Sequence, residues 1–395
     1  MPALTGAAAV VFAVSASAIF LFFVLYPAAM LVASLFARSA RLASADRLPS
    51  MRLLVIVRNA GSFIESKVAN TLALDYPPEK FDALFYSDGS TDDTNRILRS
   101  HEGPRLRVLI GSEHEGKIAC LNRAMEGCTT EVVVFSDADA LLAPDALLQL
   151  ARHLGDGAVG GVCGRRIIAE ERAGLRDVQA HYLSFDTAIK SSETRLGSVT
   201  SNDGKLYCIR RELFQPVAPG VTDDAFVAYN VVRQRRRFVF EPDAMAHVPV
   251  PSRTLAHEVR RRRRIVSQSL RGIFLMREVL NPFSFGWFSI GLAVNKVLRR
   301  GLPLCLLAAF VSSGLLSLRV RWMAFVWLLQ AVFYLLAASY AILSRLTRSG
   351  ALRRSAELAC YIVVGQYGTL LGLVDFLRGR SVARWDPVKT DASAG

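Results

Sequence analysis

The chain has 395 residues, 52% of them hydrophobic, and a formal net charge of +14. That length holds a domain of about 250 residues plus several further elements, and the apolar excess gathers at the two ends, as membrane segments do. No nucleic-acid motif accompanies the basic residues, so nucleic acid is not expected as a partner. They cluster instead beside apolar stretches, where anionic lipid head groups would meet them. The six cysteines form neither a CxxC pair nor a Cys/His cluster, which argues against a zinc site or a disulfide scaffold.

Residues 7–36 form an uncharged apolar run with no Lys or Arg before it, and Arg38, Arg41 and Arg47 follow it. A signal peptide has a basic start and a shorter apolar core. The run is therefore expected to be a transmembrane helix, with the chain from residue 37 onward in the cytoplasm. MRLLVIV at 51–57 suits a buried parallel strand, and 64–74 has helical spacing that Pro77 and Pro78 end. FDALFYSDGSTDDT reads as a strand running into a Gly/Asp turn, and 91–98 as a capped helix start. RLRVLI at 105–110 is a strand, 117–125 a helix, EVVVFSDADA at 131–140 a strand that stops in acid, and 144–154 a helix. This alternation predicts an α/β fold with a largely parallel sheet. Ligands of such sheets bind at the carboxyl ends of the strands, which places Asp88 and the pair Asp137/Asp139 on one rim.

From 159 to 250 the pattern loosens. VGGVCGRRII is a strand, 172–195 a helix, and SNDGKLYCIRRELF a loop, a short strand and a helix start. VTDDAFVAYNVV opens with a Thr–Asp cap and continues as helix, and FVFEPDAMAHV is a strand. The expected organisation is a helix over 7–36, a cytoplasmic domain over 50–250, and basic amphipathic interface helices over 251–300. Transmembrane helices over 301–378 and a basic tail over 379–395 complete it. The apolar segments are 302–318, 322–343 and 357–377. The last contains Gly365, Gln366, Gly368, Gly372 and Asp375, so it reads either as a span or as a surface-lying helix. The loop at 345–354 carries four arginines and belongs in the cytoplasm, as in a multi-pass protein of the inner membrane.

Asp137 and Asp139 are one residue apart at a strand end, so both side chains point to one side. Such a pair suits a divalent cation with oxygen ligands, Mg2+ or Mn2+, bridging a nucleotide diphosphate. Asp88 can accept hydrogen bonds from a base or ribose, and Lys117 can meet phosphate. Thr222, Asp223 and Asp224 open a helix, either as a plain cap with first-turn acids or with Asp224 as a general base that takes the proton of an attacking hydroxyl. His114 and His247 have no partner at a telling spacing and read as ordinary.

The stretches VIVRNAGSFIESKVANTLALDYPPEKFDALFYSDGSTDDT, EGKIACLNRAM, VVVFSDADALLAPDAL, GKLYCIRRELF and VTDDAFVAYNVV occur in an order that resembles family 2 glycosyltransferases with the GT-A fold. The membrane-integrated cellulose, hyaluronan and chitin-oligosaccharide synthases and their single-sugar-transferring cousins are the types most similar. The resemblance implies a mixed, mainly parallel sheet and inverting transfer from a UDP-sugar to a lipid-linked or polysaccharide acceptor, in exopolysaccharide or cell-envelope synthesis. It gives Asp88 and Asn59 to the nucleotide, Asp137 to the diphosphate and metal, Asp139 to the metal and Asp224 to catalysis. Asp223 stands where the family has Glu. The Gln-x-x-Arg-Trp motif of processive synthases is absent from RRRRRIVSQSLRG, leaving Arg263 and Arg264 as candidate pyrophosphate ligands. Without that Trp, and with only three or four expected spans, a polymer channel would need a homo-oligomer or an export partner. The alternatives are a non-processive glycolipid-forming transferase and a catalytically inactive nucleotide-binding scaffold.

Overall fold

A computed structural model describes residues 2–37, 47–168, 176–248, 255–346 and 350–380. Arg38, Arg41 and tail residues 381–395, used above for orientation and domain limits, lie outside the described residues. The chain forms two compact units. Among the described residues, one comprises 2–29, 255–270, 291–346 and 350–380, the other 30–37, 47–168, 176–248 and 271–290. The N-terminal apolar run is α1 (Pro2–Phe20) and α2 (Tyr26–Leu35), joined by a π-helical stretch, Leu21–Leu25.

The second unit carries the sheet. Its elements are β1 (Met51–Val57), α3 (Ile64–Leu72), β2 (Phe81–Asp88), α4 (Thr94–Ser100), β3 (Leu106–Gly111), α5 (Lys117–Glu126), β4 (Val132–Phe135), β5 (Leu141–Leu142), α6 (Ala146–Ala151), β6 (Val159–Ile168), α7 (Arg176–Leu196), β7 (Tyr207–Arg210), α8 (Asp223–Arg233) and β8 (Arg237–Val248). The strand order is β3-β2-β1-β4-β7-β6-β8-β5. The first four strands are parallel, β7 is antiparallel to both β4 and β6, β6 and β8 are parallel, and β5 is antiparallel to β8. The α/β class and the mixed, mainly parallel GT-A sheet expected from the sequence are present.

Unbroken apolar runs such as MRLLVIV fit this sheet because its central strands are covered on both faces. Leu53, Val55, Ala83, Phe85 and Val134 are fully buried in one core cluster. Arg52 interrupts β1 yet stays buried, because Asp82, its register partner on β2, accepts from it at 2.8 and 2.6 Å. The parallel strands β1, β2 and β4 run the same way, so Val57, Asp88 and Phe135 all end at one rim. The acidic segment 136–139 continues from there.

The first unit is helical. Four helices among the described residues are long and apolar enough to cross a membrane: Thr5–Phe36, Trp287–Ser317, Arg321–Arg345 and Ala351–Leu377. The sequence places 283–300 in an interface helix separate from the span at 302–318. Here α10 (Pro282–Phe285) ends at Gly286, and α11 (Trp287–Leu292), a π-helical stretch Ala293–Leu298 and α12 (Arg299–Ser317) run on as one helix. Lys296, Arg299 and Arg300 lower the local hydropathy without breaking the backbone. Arg300 donates to the Lys296 carbonyl at 2.7 Å and to Ser269 Oγ at 2.8 Å.

The arginine run lies on α9 (Leu255–Leu275), and α13 (Arg321–Leu346) and α14 (Ala351–Leu377) complete the unit. Glu258 is 1% exposed and accepts from Arg261 at 3.0 Å and Arg262 at 2.7 Å. Arg263 pairs with Asp375 of α14. These acids answer a run that the sequence alone makes a solvated or lipid-facing patch. The helices approach closely because α14 presents Gly365, Gly368 and Gly372. A Cβ at Gly372 would stand 2.6 Å from the Arg263 carbonyl oxygen, and one at Gly368 would stand 3.1 Å from that of Val259. Gly372→Val is expected to separate α9 from α14 and destabilise the chain by about 1–3 kcal/mol, the usual cost of overpacking. A lowered melting temperature in detergent is the check, and an unchanged one contradicts the packing.

Candidate active site

The rim at the ends of β2 and β4 gathers most of the residues singled out in the sequence. Asp88 closes β2 and is 3% exposed. Its carboxylate accepts from the backbone N–H of Glu115 at 2.8 Å and of Gly116 at 3.0 Å, and meets His114 Nδ1 at 2.8 Å. Gly89 makes this turn with φ +58°. A Cβ there would lie 2.6–2.7 Å from the Glu113–His114 backbone, so only glycine lets the two loops touch. His114 was given no role by its sequence spacing. Its signal lay in the loop after β3, which a parallel sheet brings beside the end of β2. Asn59, also at positive φ, accepts from Thr91 N–H at 2.8 Å and donates its own N–H to Ser90 Oγ at 3.1 Å. It ties the loop after β1 to the loop after β2.

Lys117 starts α5 and bridges two acids, meeting Asp137 Oδ1 and Asp223 Oδ2, each at 2.8 Å. Lys205, from the loop before β7, continues the row. It donates to Asp139 at 2.7 and 3.0 Å and meets Asp137 Oδ2 at 3.1 Å. The order Asp223–Lys117–Asp137–Lys205–Asp139 therefore alternates in sign. Burial would raise the Asp137 carboxyl, but Lys117 and Lys205 hold it well below the usual carboxylate range. Burial would likewise lower both lysines, and Asp137, with Asp223 for Lys117 and Asp139 for Lys205, raises them.

Beneath the row lies Lys67, 1% exposed, whose Nζ reaches Ser136 Oγ at 2.8 Å and the Ala140 carbonyl at 2.5 Å. Burial pushes its ammonium down to about 7. It holds segment 136–140 from below, a role no local motif announced.

Asp223 and Asp224 occupy the first turn of α8. Thr222 is the N-cap residue, but its side chain makes no capping hydrogen bond. Asp224 lies against Gly204, and Asn202 Nδ2 donates to its backbone carbonyl at 3.0 Å. Its carboxyl is pushed up to about 7, first by removal from water and next by the neighbouring Asp223 charge. A cavity of about 110 Å3 opens beside Asn202 and Asp203, lined also by Arg165, Arg166, Lys190 and Phe240. Arg263 and Arg264 belong to the other compact unit, where Arg263 is engaged with Asp375.

A divalent ion was expected on Asp137 and Asp139. Their oxygens are the right donors for a hard cation, yet the Lys205 ammonium sits between them. Among the described residues no group of three or more His, Cys, Asp or Glu is placed to hold a metal. The residues as arranged therefore do not fit a metal ion.

Comparison with known proteins now bears on this geometry. Residues 53–216 match the family described as "Glycosyl transferase family 2". Over these residues the chain is similar to that family. Two relatives named beta-monoglucosyldiacylglycerol synthase are each 29% identical to the chain. The one from Nostoc aligns over 193 residues, 47% of this chain and 41% of the relative, and the one from Synechocystis over 185 residues, 45% and 39%. The chain thus spans about two fifths of the length of the curated relatives it matches. Among solved structures, a mannosyltransferase from Pyrobaculum calidifontis, in complex with GDP-Man and Mn2+, superposes with a TM-score of 0.67 at 23% identity. That match covers 96% of this chain and 100% of the other and shows a shared fold.

The raised carboxyl of Asp224 has a consequence for stability. Below about pH 4 the residue is neutral in both folded and unfolded chains, and no penalty exists. As pH rises towards about 7 the unfolded chain ionises first, so the native state loses stability, and above about 7 the loss is complete. Asp224→Asn removes this penalty. The variant is expected to be more stable than the parent by about 1–3 kcal/mol at pH 8 and equal to it near pH 4. Melting curves across that range check it, and a variant less stable at pH 8 contradicts it.

Proposed function

We propose that this protein transfers a single hexose from a nucleotide sugar, with UDP as the carrier, to a lipid acceptor, forming a glycolipid with inversion at the anomeric carbon. The observation that carries this reading is Asp224. It is a carboxylate raised to about 7 and set one residue from the row of alternating acids and ammonium groups. A base acting near neutral pH is most effective with a value in that range.

In the proposed reaction the acceptor hydroxyl gives its proton to Asp224 as its oxygen attacks the anomeric carbon. The bond from that carbon to the diphosphate oxygen breaks, and the leaving diphosphate takes the electron pair. Lys117 and Lys205 supply positive charge for that group. Asp88 and Asn59 fix the loops that flank the nucleotide, and the cavity beside Asn202 offers polar groups to the acceptor head. A direct displacement forms no covalent intermediate with the enzyme.

The lipid acceptor is favoured over a polysaccharide on three grounds. The relatives matched over the domain carry glycolipid-synthase names. The Trp expected of processive synthases is absent from the α9 run. Four long apolar helices can hold the chain in a membrane where such acceptors reside. The arginines at 345–354 favour an inner-membrane protein with its catalytic domain on the cytoplasmic side.

A donor screen in native membranes, with Mg2+ or Mn2+ supplied, tests the reading. Asp224→Asn is expected to lower transfer by about 10²–10⁴-fold while leaving nucleotide binding unchanged. Full activity in that variant contradicts the base assignment, and no transfer from any donor by the parent chain contradicts the enzyme.

A further inference from the structure

The turn that carries α10 presents an aromatic tip to solvent. Phe283 is 99% exposed, and Leu275, Trp287 and Ile290 in the flanking residues are 49%, 42% and 40% exposed. The tip is rigid. Asn281 Oδ1 accepts from the Phe283 N–H at 3.0 Å, and Gly286, at φ +55°, donates its own N–H to the Pro282 carbonyl at 2.8 Å. Ser289 of α11 is buried and donates to the carbonyls of Val279 at 2.7 Å and Asn281 at 2.9 Å, which closes the turn on the helix that follows. An apolar ring on a rigid tip has little freedom left to lose, so covering it is favourable.

The turn is seated on α8. The Phe288 ring packs edge-on to Tyr229 with centroids 6.2 Å apart, and Arg233 meets Glu278 at 3.5 Å. Arg235, at positive φ just beyond α8, donates to the Ser284 carbonyl, and its guanidinium lies 4.2 Å from the centre of the Phe285 ring. Residues 233–236 and 277–286 hold four arginines, Arg233, Arg235, Arg236 and Arg277, against one acid, Glu278. A basic collar thus lies beside an apolar tip, the pattern of a segment that enters an anionic lipid surface.

Chain continuity fixes how deep the tip can reach. The helix from Trp287 to Ser317 has 31 residues and rises about 46 Å, close to the thickness of a bilayer with its headgroups. The first turn of a crossing helix of that length lies in the headgroup layer, and Phe283 comes just before it. We propose that α10 and the arginines at the end of α8 form a docking surface for an anionic lipid leaflet. The Phe283 ring enters the leaflet, and the guanidinium groups meet lipid phosphates. The opposite end of α8 carries Asp223 and Asp224. The leaflet therefore holds the helix of the candidate active site by its basic end.

The test is amide hydrogen exchange of the full chain in nanodiscs of phosphatidylcholine, alone or with phosphatidylglycerol added. Residues 283–286 and 233–236 are expected to exchange at least about tenfold more slowly when phosphatidylglycerol is present. Phe283→Asp changes only a solvent-facing ring, so it is expected to keep the melting temperature of the parent and to lose the slowing. Arg277→Gln removes one collar charge and is expected to reduce the slowing by about fivefold. Equal exchange in the two lipids, or a slowing that survives Phe283→Asp, overturns the proposal. So does a slowing confined to nanodiscs that hold two copies of the chain, since the partner would then be protein. No sugar donor or acceptor enters the measurement, so the glycolipid reading can fail while this contact stands.

Discussion

Two ammonium groups make it possible for three carboxylates to share one rim. Asp137, Asp139 and Asp223 lie close together and partly out of water, where unbalanced charges of one sign are costly. Lys117 and Lys205 alternate with them at 2.7–3.1 Å. The pieces come from the start of α5, the end of β4, the loop before β7 and the start of α8. The row is therefore also a fastener across the domain. Asp224, one residue from the end of the row, is pushed up to about 7 by burial and by the neighbouring Asp223 charge. The same arrangement thus lowers the carboxyl of Asp137 and raises that of Asp224.

Much of this was legible in the sequence, for physical reasons. Strands buried on both faces write themselves as unbroken apolar runs, so β1, β2 and β4 stood out. The rule that ligands meet the carboxyl ends of parallel strands then put Asp88 with Asp137 and Asp139. Lys205 was not legible. It is 66 residues from Asp139, and it arrives through β7, an antiparallel strand inserted between β4 and β6 that no local spacing reveals. Lys67 was hidden likewise, because a lysine at helical spacing reads as surface until the neighbouring loop is seen to cover it.

The helical unit shows the same division. Its apolar lengths announced the long helices. The answer to the arginine run needed the partner helix: Glu258 lies a turn away on α9, but Asp375 and the glycines of α14 are about 100 residues further on. Read alone, the glycines and Asp375 made the last segment ambiguous between a span and a surface helix. Read together, the small residues let α9 approach and the acid pairs with Arg263. One interaction thus accounts for features that looked unrelated along the chain.

The central claim is that Asp224 drives direct displacement onto a lipid hydroxyl while the ammonium groups meet the leaving diphosphate. The most direct measurement is the structure of the product made from an α-linked nucleotide sugar, by mass analysis and the anomeric proton coupling in NMR. The account predicts one hexose, β-linked to a lipid. An α-linked product, or a polymer chain, would contradict it.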